Sequence, residues 1–261
     1  MGRKRRAMRW PQVAAPVLFA AVIVLVWQLA VGTGAVSSAF LPAPSDLIRR
    51  FWLELTQGPL LDHTITTLAA AIYGTVLATL VAVPLGYLIA KVRWVDLAMT
   101  PYVTASQAIP AVAVAPLLAL WIGYGLTPIA FLCAVVAFFP MLITTVLGVQ
   151  SLPQDVLEAA KLDGANAWQS LRWVEAPLAM PSVLAGIRAG VALSVTGAVV
   201  GEFTMGGQGL GMLLTLYRDA NDTEGMFATL FTLAFLAVGM FTLLRVLQSV
   251  VARAITKEKK R

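Results

Sequence analysis

Residues 151–188 read SLPQDVLEAAKLDGANAWQSLRWVEAPLAMPSVLAGIR, and they decide how the rest of the chain is interpreted. Their first four residues end a run of 58 residues, 97–154, that carries no charge at all. Six charged side chains then occur between Asp155 and Glu175, after which the chain becomes apolar again. Because charges at this density are not tolerated in the hydrocarbon of a bilayer, residues 151–180 must lie in water or against a polar partner. We refer to residues 151–180 as the charged insert.

The first half of the charged insert has the pattern of a short capped helix. Ser151 and Gln154 have the spacing of a capping box, and Pro153 suits a first helical turn. Gly164 is expected to end this helix in the left-handed conformation. Either Asp163 or Asn166 could then cap a second helix.

The second helix of the charged insert is expected to run until Pro177, which lacks the amide that a continuing helix needs. Trp168, Leu171 and Val174 recur every three residues, so the pattern predicts that they share one face. An apolar face on a short helix outside the bilayer needs a partner that buries it.

The composition excludes a soluble protein. Hydrophobic residues make up 59% of the 261 residues and charged residues only 12%, against about 45–50% and 25% in soluble domains. The net charge of +6 does not indicate nucleic-acid binding, because the positive residues cluster at the two ends of the chain. With one histidine, His63, and one cysteine, Cys133, the chain offers no metal, disulfide or nucleophile site, and we expect no enzyme activity.

Hydrophobic segments of spanning length predict an all-α integral membrane protein embedded in a lipid bilayer. Between basic termini at 1–12 and 251–261, a transmembrane domain covers 13–250. A helix at 45–56, with Arg49 and Arg50 off its apolar side, is expected to lie at the membrane interface. The six predicted spans are 13–34, 64–90, 98–122, 127–150, 181–203 and 226–250.

The distribution of positive charge predicts the orientation. If the N-terminus is cytoplasmic, sixteen of the 19 Lys and Arg residues lie on the cytoplasmic side, and only Arg49, Arg50 and Arg218 lie outside. Both termini and the charged insert are then cytoplasmic.

Glu158-Ala159-Ala160, then Gly164 after three residues, then Val174-x-x-Pro177, resembles the EAA loop of binding-protein-dependent ABC transporter permeases. Where the family prefers Ile and Leu-Pro, this chain has Val174 and Ala176-Pro177. The resemblance implies a type I importer permease of the bacterial inner membrane, whose loop is a coupling helix that docks on a cytoplasmic ATPase. The coupling residues that it implies are Glu158, Ala159, Ala160, Asp163, Gly164, Ala165, Trp168, Leu171, Val174 and Pro177.

The resemblance also implies partners: a second copy of the chain, two ATP-binding cassette subunits and an extracytoplasmic solute-binding protein. ATP would be bound by the partner subunits, because the chain contains no GxxxxGK[ST] phosphate loop and no cofactor site. Leu41-Pro42-x-Pro44 and the run 197–203 followed by Gly209-Leu-Gly are similar to the nitrate, sulfonate and taurine branch. That branch also includes permeases for thiamine-pyrimidine precursors and riboflavin. A secondary transporter and a non-transport membrane scaffold or insertase component remain as alternatives.

Three residues are candidates for the transport pathway. Pro110 and Pro116 break up the predicted third span, and broken helices are tolerated at membrane depth where they line a cavity. Glu202 is a lone charge near the outer end of the fifth span, where it could contact substrate or a gate, or cap a loop. The nearby GGQGLG run, 206–211, follows no strand, so we interpret it as an outer loop or short helix rather than a nucleotide site.

Overall fold

The computed structural model describes residues 10–258, with the side chains of residues 14–246. Of the predicted basic termini, residues 1–9 and 259–261 lie outside the described residues. Within that range the chain is all-α, as predicted, and no strand occurs. Its α-helices are α1 (Trp10–Gly32), α2 (Pro44–Thr56), α3 (Leu60–Lys91), α4 (Arg93–Ser106), α5 (Ala111–Ile122), α6 (Leu126–Gln150), α7 (Gln154–Leu162), α8 (Ala167–Ser170), α9 (Ala176–Met205), α10 (Leu210–Asp219) and α11 (Thr223–Glu258), and a π-helical turn (Leu171–Glu175) joins α8 to α9.

Five helical segments are long and apolar enough to cross a membrane: α1, α3, α6, the run that ends in α9, and α11. The predicted third span, 98–122, is broken as its prolines indicate, since α4 and α5 are separate helices bent by 97°. Pro110 explains the break. Its ring disfavours a helical conformation at Ile109, and Pro110 itself is extended, with φ −65° and ψ 127°.

The bent pair completes a sixth crossing. Gly74 of α3 lies against Cys133 of α6, and further along both helices Gly86 lies against Thr145, so α3 and α6 run in the same direction. The chain leaves α3 at one end of the bundle and must begin α6 at the other end. Because α4 and α5 supply that connection, they cross the bundle as one broken span.

The core of the bundle consists of α3, α6 and α9, which approach closely through small residues. α9 runs antiparallel to α6, with Gly148 against Ser182 and Gly197 against Cys133. The hydroxyl of Ser194 on α9 donates to the carbonyl of Ala71 on α3 at 2.8 Å. In a bilayer, small residues allow the close backbone approach that replaces the hydrophobic driving force. On α3 the buried small residues are Ala70, Ala71, Gly74 and Ala78.

The predicted interfacial helix is α2, and it packs sideways on the end of the bundle remote from the charged insert. Leu47 is buried on its apolar side. Arg50, however, does not point away from the bundle. It pairs with Glu54 at 3.0 Å and with Asp222, before α11, at 2.6 Å. Burial raises the pKa of the nearby Tyr217 hydroxyl above its ordinary value, and the hydrogen bond and negative charge of Glu54 raise that pKa further.

Candidate functional site

The first helix of the charged insert is α7, and its start differs from the prediction. No capping box forms between Ser151 and Gln154. The Ser151 hydroxyl instead donates to the carbonyl of Gly148 at 3.1 Å, and its amide donates to Leu147, so Ser151 completes α6. Pro153 becomes the residue before the first helical turn, with the extended angles φ −60° and ψ 120°.

Gly164 ends α7 in the left-handed conformation, as predicted, with φ +82°. The amide of Gly164 donates to Lys161 and the amide of Ala165 donates to Ala160, both at 3.0 Å. These two bonds are the Schellman arrangement, which satisfies the last carbonyls of a helix. A Cβ at Gly164 would meet nothing within 4 Å. Glycine is therefore favoured here by its backbone conformation and not by crowding within the chain.

Asn166, rather than Asp163, caps α8. The Asn166 side chain accepts from the amide of Gln169, and the Gln169 side chain accepts from the amide of Asn166, both at 2.9 Å. This reciprocal pair is a capping box. The bend between α7 and α8 is therefore fixed from both sides: Gly164 ends α7 in the left-handed conformation, and Asn166 caps the start of α8 two residues later.

The prediction that Pro177 ends the second helix was wrong. The π-helical turn Leu171–Glu175 leads directly into α9, so the insert and the spanning helix form one helical run. The amide of Ala176 donates to the carbonyl of Leu171, five residues back. A π turn also changes the angular spacing of side chains, which is why Val174 packs toward the bundle while Trp168 is exposed.

The charged insert rests on the bundle through a buried apolar cluster. Leu157 of α7 lies with Val149 and Leu152 at the end of α6 and with Ala179 of α9. Tyr87 at the end of α3 packs against the edge of this cluster. The insert therefore contacts the ends of all three core helices.

Glu175 adds a polar contact beside this cluster, and the sequence analysis missed its role. Glu175 is buried, and its carboxylate pairs with the Lys91 ammonium at 2.8 Å. The carboxylate also accepts from the Tyr87 hydroxyl at 2.9 Å and from the Ser170 hydroxyl at 3.1 Å. A signal was available, because Tyr87 and Lys91 lie four residues apart at the end of a span, where a helix presents them on one face.

The exposed side of the charged insert carries large apolar side chains next to charges. Leu162 is 89% exposed, Trp168 67% and Trp173 70%. The Arg172 guanidinium lies 5.4 Å from the centre of the Trp173 ring. Of the predicted coupling residues, the exposed ones are Glu158, Ala159, Asp163, Gly164 and Trp168, and the half-buried ones are Ala160, Ala165, Leu171, Val174 and Pro177.

Of the predicted pathway prolines, Pro110 lies in the bend between α4 and α5, which we call the elbow (residues 107–110), and Pro116 lies within α5. Pro110 and Pro116 are both exposed. A cavity of about 510 Å³ opens beside the elbow, between it and α6. Ile109 lines this cavity, whereas the two prolines do not. Its polar lining residues are Ser106, Gln107 and Thr144.

Glu202 is fully buried near the end of α9, remote from the charged insert, and contacts the start of α10. Its carboxylate accepts from the amide of Gly211 at 2.7 Å. The neighbouring amides of Gly209 and Leu210 donate to His63 and Thr67 of α3, at 2.9 and 2.8 Å. The GGQGLG run thus leads into the short helix α10, as predicted from the sequence. Glu202 caps the start of α10 by accepting from the amide of Gly211. Among the residues that the structure describes, no group of three or more His, Cys, Asp and Glu side chains could hold a metal ion.

Comparison with known proteins identifies the family. Residues 82–257 match the family model described as the binding-protein-dependent transport system inner membrane component. The chain belongs to this family. It is an ABC transporter permease, a multi-pass membrane protein, as the resemblance of the charged insert indicated.

Curated relatives match the permease over nearly its full length. The riboflavin transport system permease protein RibX of Chloroflexus aurantiacus is 43% identical over 251 residues, which covers 96% of this chain and 93% of the relative. The formylaminopyrimidine transport permease protein ThiX of Halalkalibacterium halodurans is 29% identical, covering 92% of this chain and 95% of the relative.

A solved structure shares the fold of the permease. The match is to inward-facing conformations of the MetNI methionine ABC transporter, with a TM-score of 0.66 and 19% identity. It covers 77% of this chain and 98% of that chain. The described bundle thus has the fold of an importer permease.

Proposed function

We propose that this permease is one of two identical membrane subunits of an importer for riboflavin or a closely related flavin. The observation that carries the proposal is the 43% identity to RibX over more than nine tenths of both chains. The cavity at the elbow is compatible with such a substrate. It combines an aromatic ring, Phe139, with the polar side chains of Gln107 and Thr144, and small-molecule sites are typically apolar with a few polar groups.

The charged insert is proposed to dock on an ATP-binding cassette subunit, one per permease copy. An exposed tryptophan next to an exposed leucine is the kind of apolar surface that a partner covers. ATP binding and hydrolysis would then occur on that subunit. The permease would contribute no cofactor, and its insert would transmit the movement of the ATPase.

We propose that the N-terminus is cytoplasmic, which places the charged insert on the same side as the ATPases. The charge asymmetry supports this orientation. The four crossings that precede the insert return it to the side of the N-terminus. A solute-binding protein would dock at the opposite end, near α2 and α10. Two copies would enclose the pathway between their elbows, with Pro110 and Pro116 acting as hinges and Glu202 near its outer end.

The substrate can be identified in a bacterium that can neither make nor import riboflavin, because its growth then depends on uptake by the introduced importer. The permease is expressed together with the ATPase and binding-protein subunits of its importer, and uptake of radiolabelled riboflavin is measured. We expect growth on low riboflavin and uptake that unlabelled riboflavin abolishes and taurine does not. Absence of riboflavin uptake, together with uptake of a radiolabelled formylaminopyrimidine, would assign the permease to the thiamine-precursor branch instead.

A further inference from the structure

We propose that Glu175, Lys91 and Tyr87 form a link that makes α3 and the attached elbow follow the charged insert. We class them as positioning residues, because none of the three lines the cavity at the elbow and each would act through the helix that carries it. The inference rests on the proposed docking function of the insert and adds the route by which its movement reaches the cavity.

The contacts of Glu175 join the insert to α3 directly. Glu175 is the last residue of the π-helical turn, and its two carboxylate oxygens take bonds from Lys91 and from Tyr87 on α3. A third donor, Ser170, holds the carboxylate from within the insert. A buried carboxylate with three donors is held in one position, whereas apolar contacts at the same place allow sliding.

The position of Lys91 connects this link to the elbow. Lys91 is the last residue of α3, and after Val92 the chain enters α4. α4 leads to Gln107 and Ile109, which line the cavity. A displacement of Glu175 therefore acts on the residue next to the start of the broken span. The π turn supplies the point of bending, since such turns are frequent at functional sites.

The remaining attachment of the insert involves mainly other helices. Its buried apolar cluster consists of residues from α6, α7 and α9 and of Leu152 between α6 and α7, and α3 contributes only the half-buried Tyr87 and Ala90 at its edge. Loss of the polar link should leave the insert folded and docked but should loosen its attachment to α3. The expected phenotype is an assembled complex that hydrolyses ATP and no longer moves its elbow.

The test measures movement at the elbow without needing a substrate. Gln107→Cys, in a Cys133→Ser background, reports accessibility to a water-soluble maleimide in the purified permease–ATPase complex. We expect labelling to change when ATP and vanadate trap the closed ATPases. Lys91→Met and Glu175→Gln should reduce that change about tenfold, within the usual range of coupling between sites, with complex yield unchanged. The matched control is Arg93→Met, two residues from Lys91, which should behave like the wild type.

Two further variants distinguish a positioning role of the three residues from an effect on the stability of the permease. Tyr87→Phe keeps the ring packed and removes one donor, so it should fold normally and give a partial loss. In a Lys91→Glu/Glu175→Lys double variant, the ion pair is present with its charges exchanged, and the ATP-dependent change should be restored relative to either single variant.

The proposal is overturned if the labelling change persists in Glu175→Gln and Lys91→Met, or in Tyr87→Phe should those two fail to insert. It is also overturned if the wild-type elbow shows no change on trapping, because the elbow would then not follow the insert. Failure of the ATPases to copurify with the wild type is a different result, and it would contradict the docking function itself.

Discussion

Gly74 of α3 lies directly against Cys133 of α6, and the carbonyl oxygen of Ala130 is 2.7 Å from the place that a Cβ on Gly74 would occupy. The contact sets the distance between two helices that form the core of the permease. Since backbone atoms cannot give way as a flexible side chain can, Gly74→Ala must push α3 and α6 apart. Overpacking of this kind costs about 1–3 kcal/mol.

We therefore expect Gly74→Ala to lower the melting temperature of the purified permease in detergent. The matched control is Gly239→Ala on α11, where a Cβ would meet nothing within 4 Å. That variant should melt at the wild-type temperature or slightly above it, because alanine favours a helix. Equal melting temperatures for the two variants would contradict the α3–α6 packing.

Gly164→Val tests the bend in the charged insert. A β-branched residue at φ +82° is strained by about 1–2 kcal/mol, too little to unfold the bundle and enough to misorient α7. We expect normal insertion in the membrane and loss of ATPase association or of hydrolysis stimulated by the binding protein. Gly164→Asn is the control, because asparagine tolerates the left-handed conformation. Equal loss in both variants would show that the backbone conformation is not the cause.

Trp168→Ala tests the docking surface without disturbing the fold, because the Trp168 side chain is largely exposed. A buried aromatic anchor in an interface is worth about 2 kcal/mol or more, so ATPase affinity should fall by about thirtyfold or more. Trp94→Ala, an exposed tryptophan of α4 outside the insert, is the control and should leave ATPase binding unchanged. Titration of the labelled ATPase subunit onto permease in nanodiscs measures both affinities. Wild-type affinity of Trp168→Ala would remove the main support for docking at this surface.

Glu202→Gln separates the two roles considered for that carboxylate. The amide oxygen of glutamine can still accept from Gly211, so we expect the complex to assemble normally. Glu202→Ala removes the acceptor and should destabilise the start of α10 by about 1–3 kcal/mol. Transport by Glu202→Gln then decides the question. Loss of transport in an intact complex would show that the pathway uses the charge, and normal transport would assign Glu202 to capping α10.

The parts of the permease that local rules govern could be predicted from the sequence. Gly164 and Asn166 act within one turn of chain, and the spans follow from hydropathy over about 20 residues. The close-packed face of α3 was predictable because alanine and glycine recur at helical spacing.

The missed features depend on contacts between distant segments or on a choice among backbone geometries. Pro110 and Pro177 both predict a helix break. Pro110 produces a 97° elbow, whereas Pro177 is accommodated by a π turn that no residue type encodes. The pairing of Glu175 with Lys91 needs the packing of α3 beside the insert, which the pattern of neither segment contains.

The most direct test of the central claim is cross-linking from the most exposed apolar side chain of the charged insert. Leu162→Cys, in a Cys133→Ser background, is modified with a benzophenone maleimide and illuminated in the assembled importer. The control is Ala220→Cys, in the loop after α10 at the opposite end of the bundle. We predict that Leu162→Cys forms a photoproduct with the ATP-binding subunit, that Ala220→Cys does not, and that the two cysteines label from opposite sides of the membrane. An ATPase photoproduct from Ala220→Cys, or none from Leu162→Cys in a complex that hydrolyses ATP, would contradict docking at the charged insert.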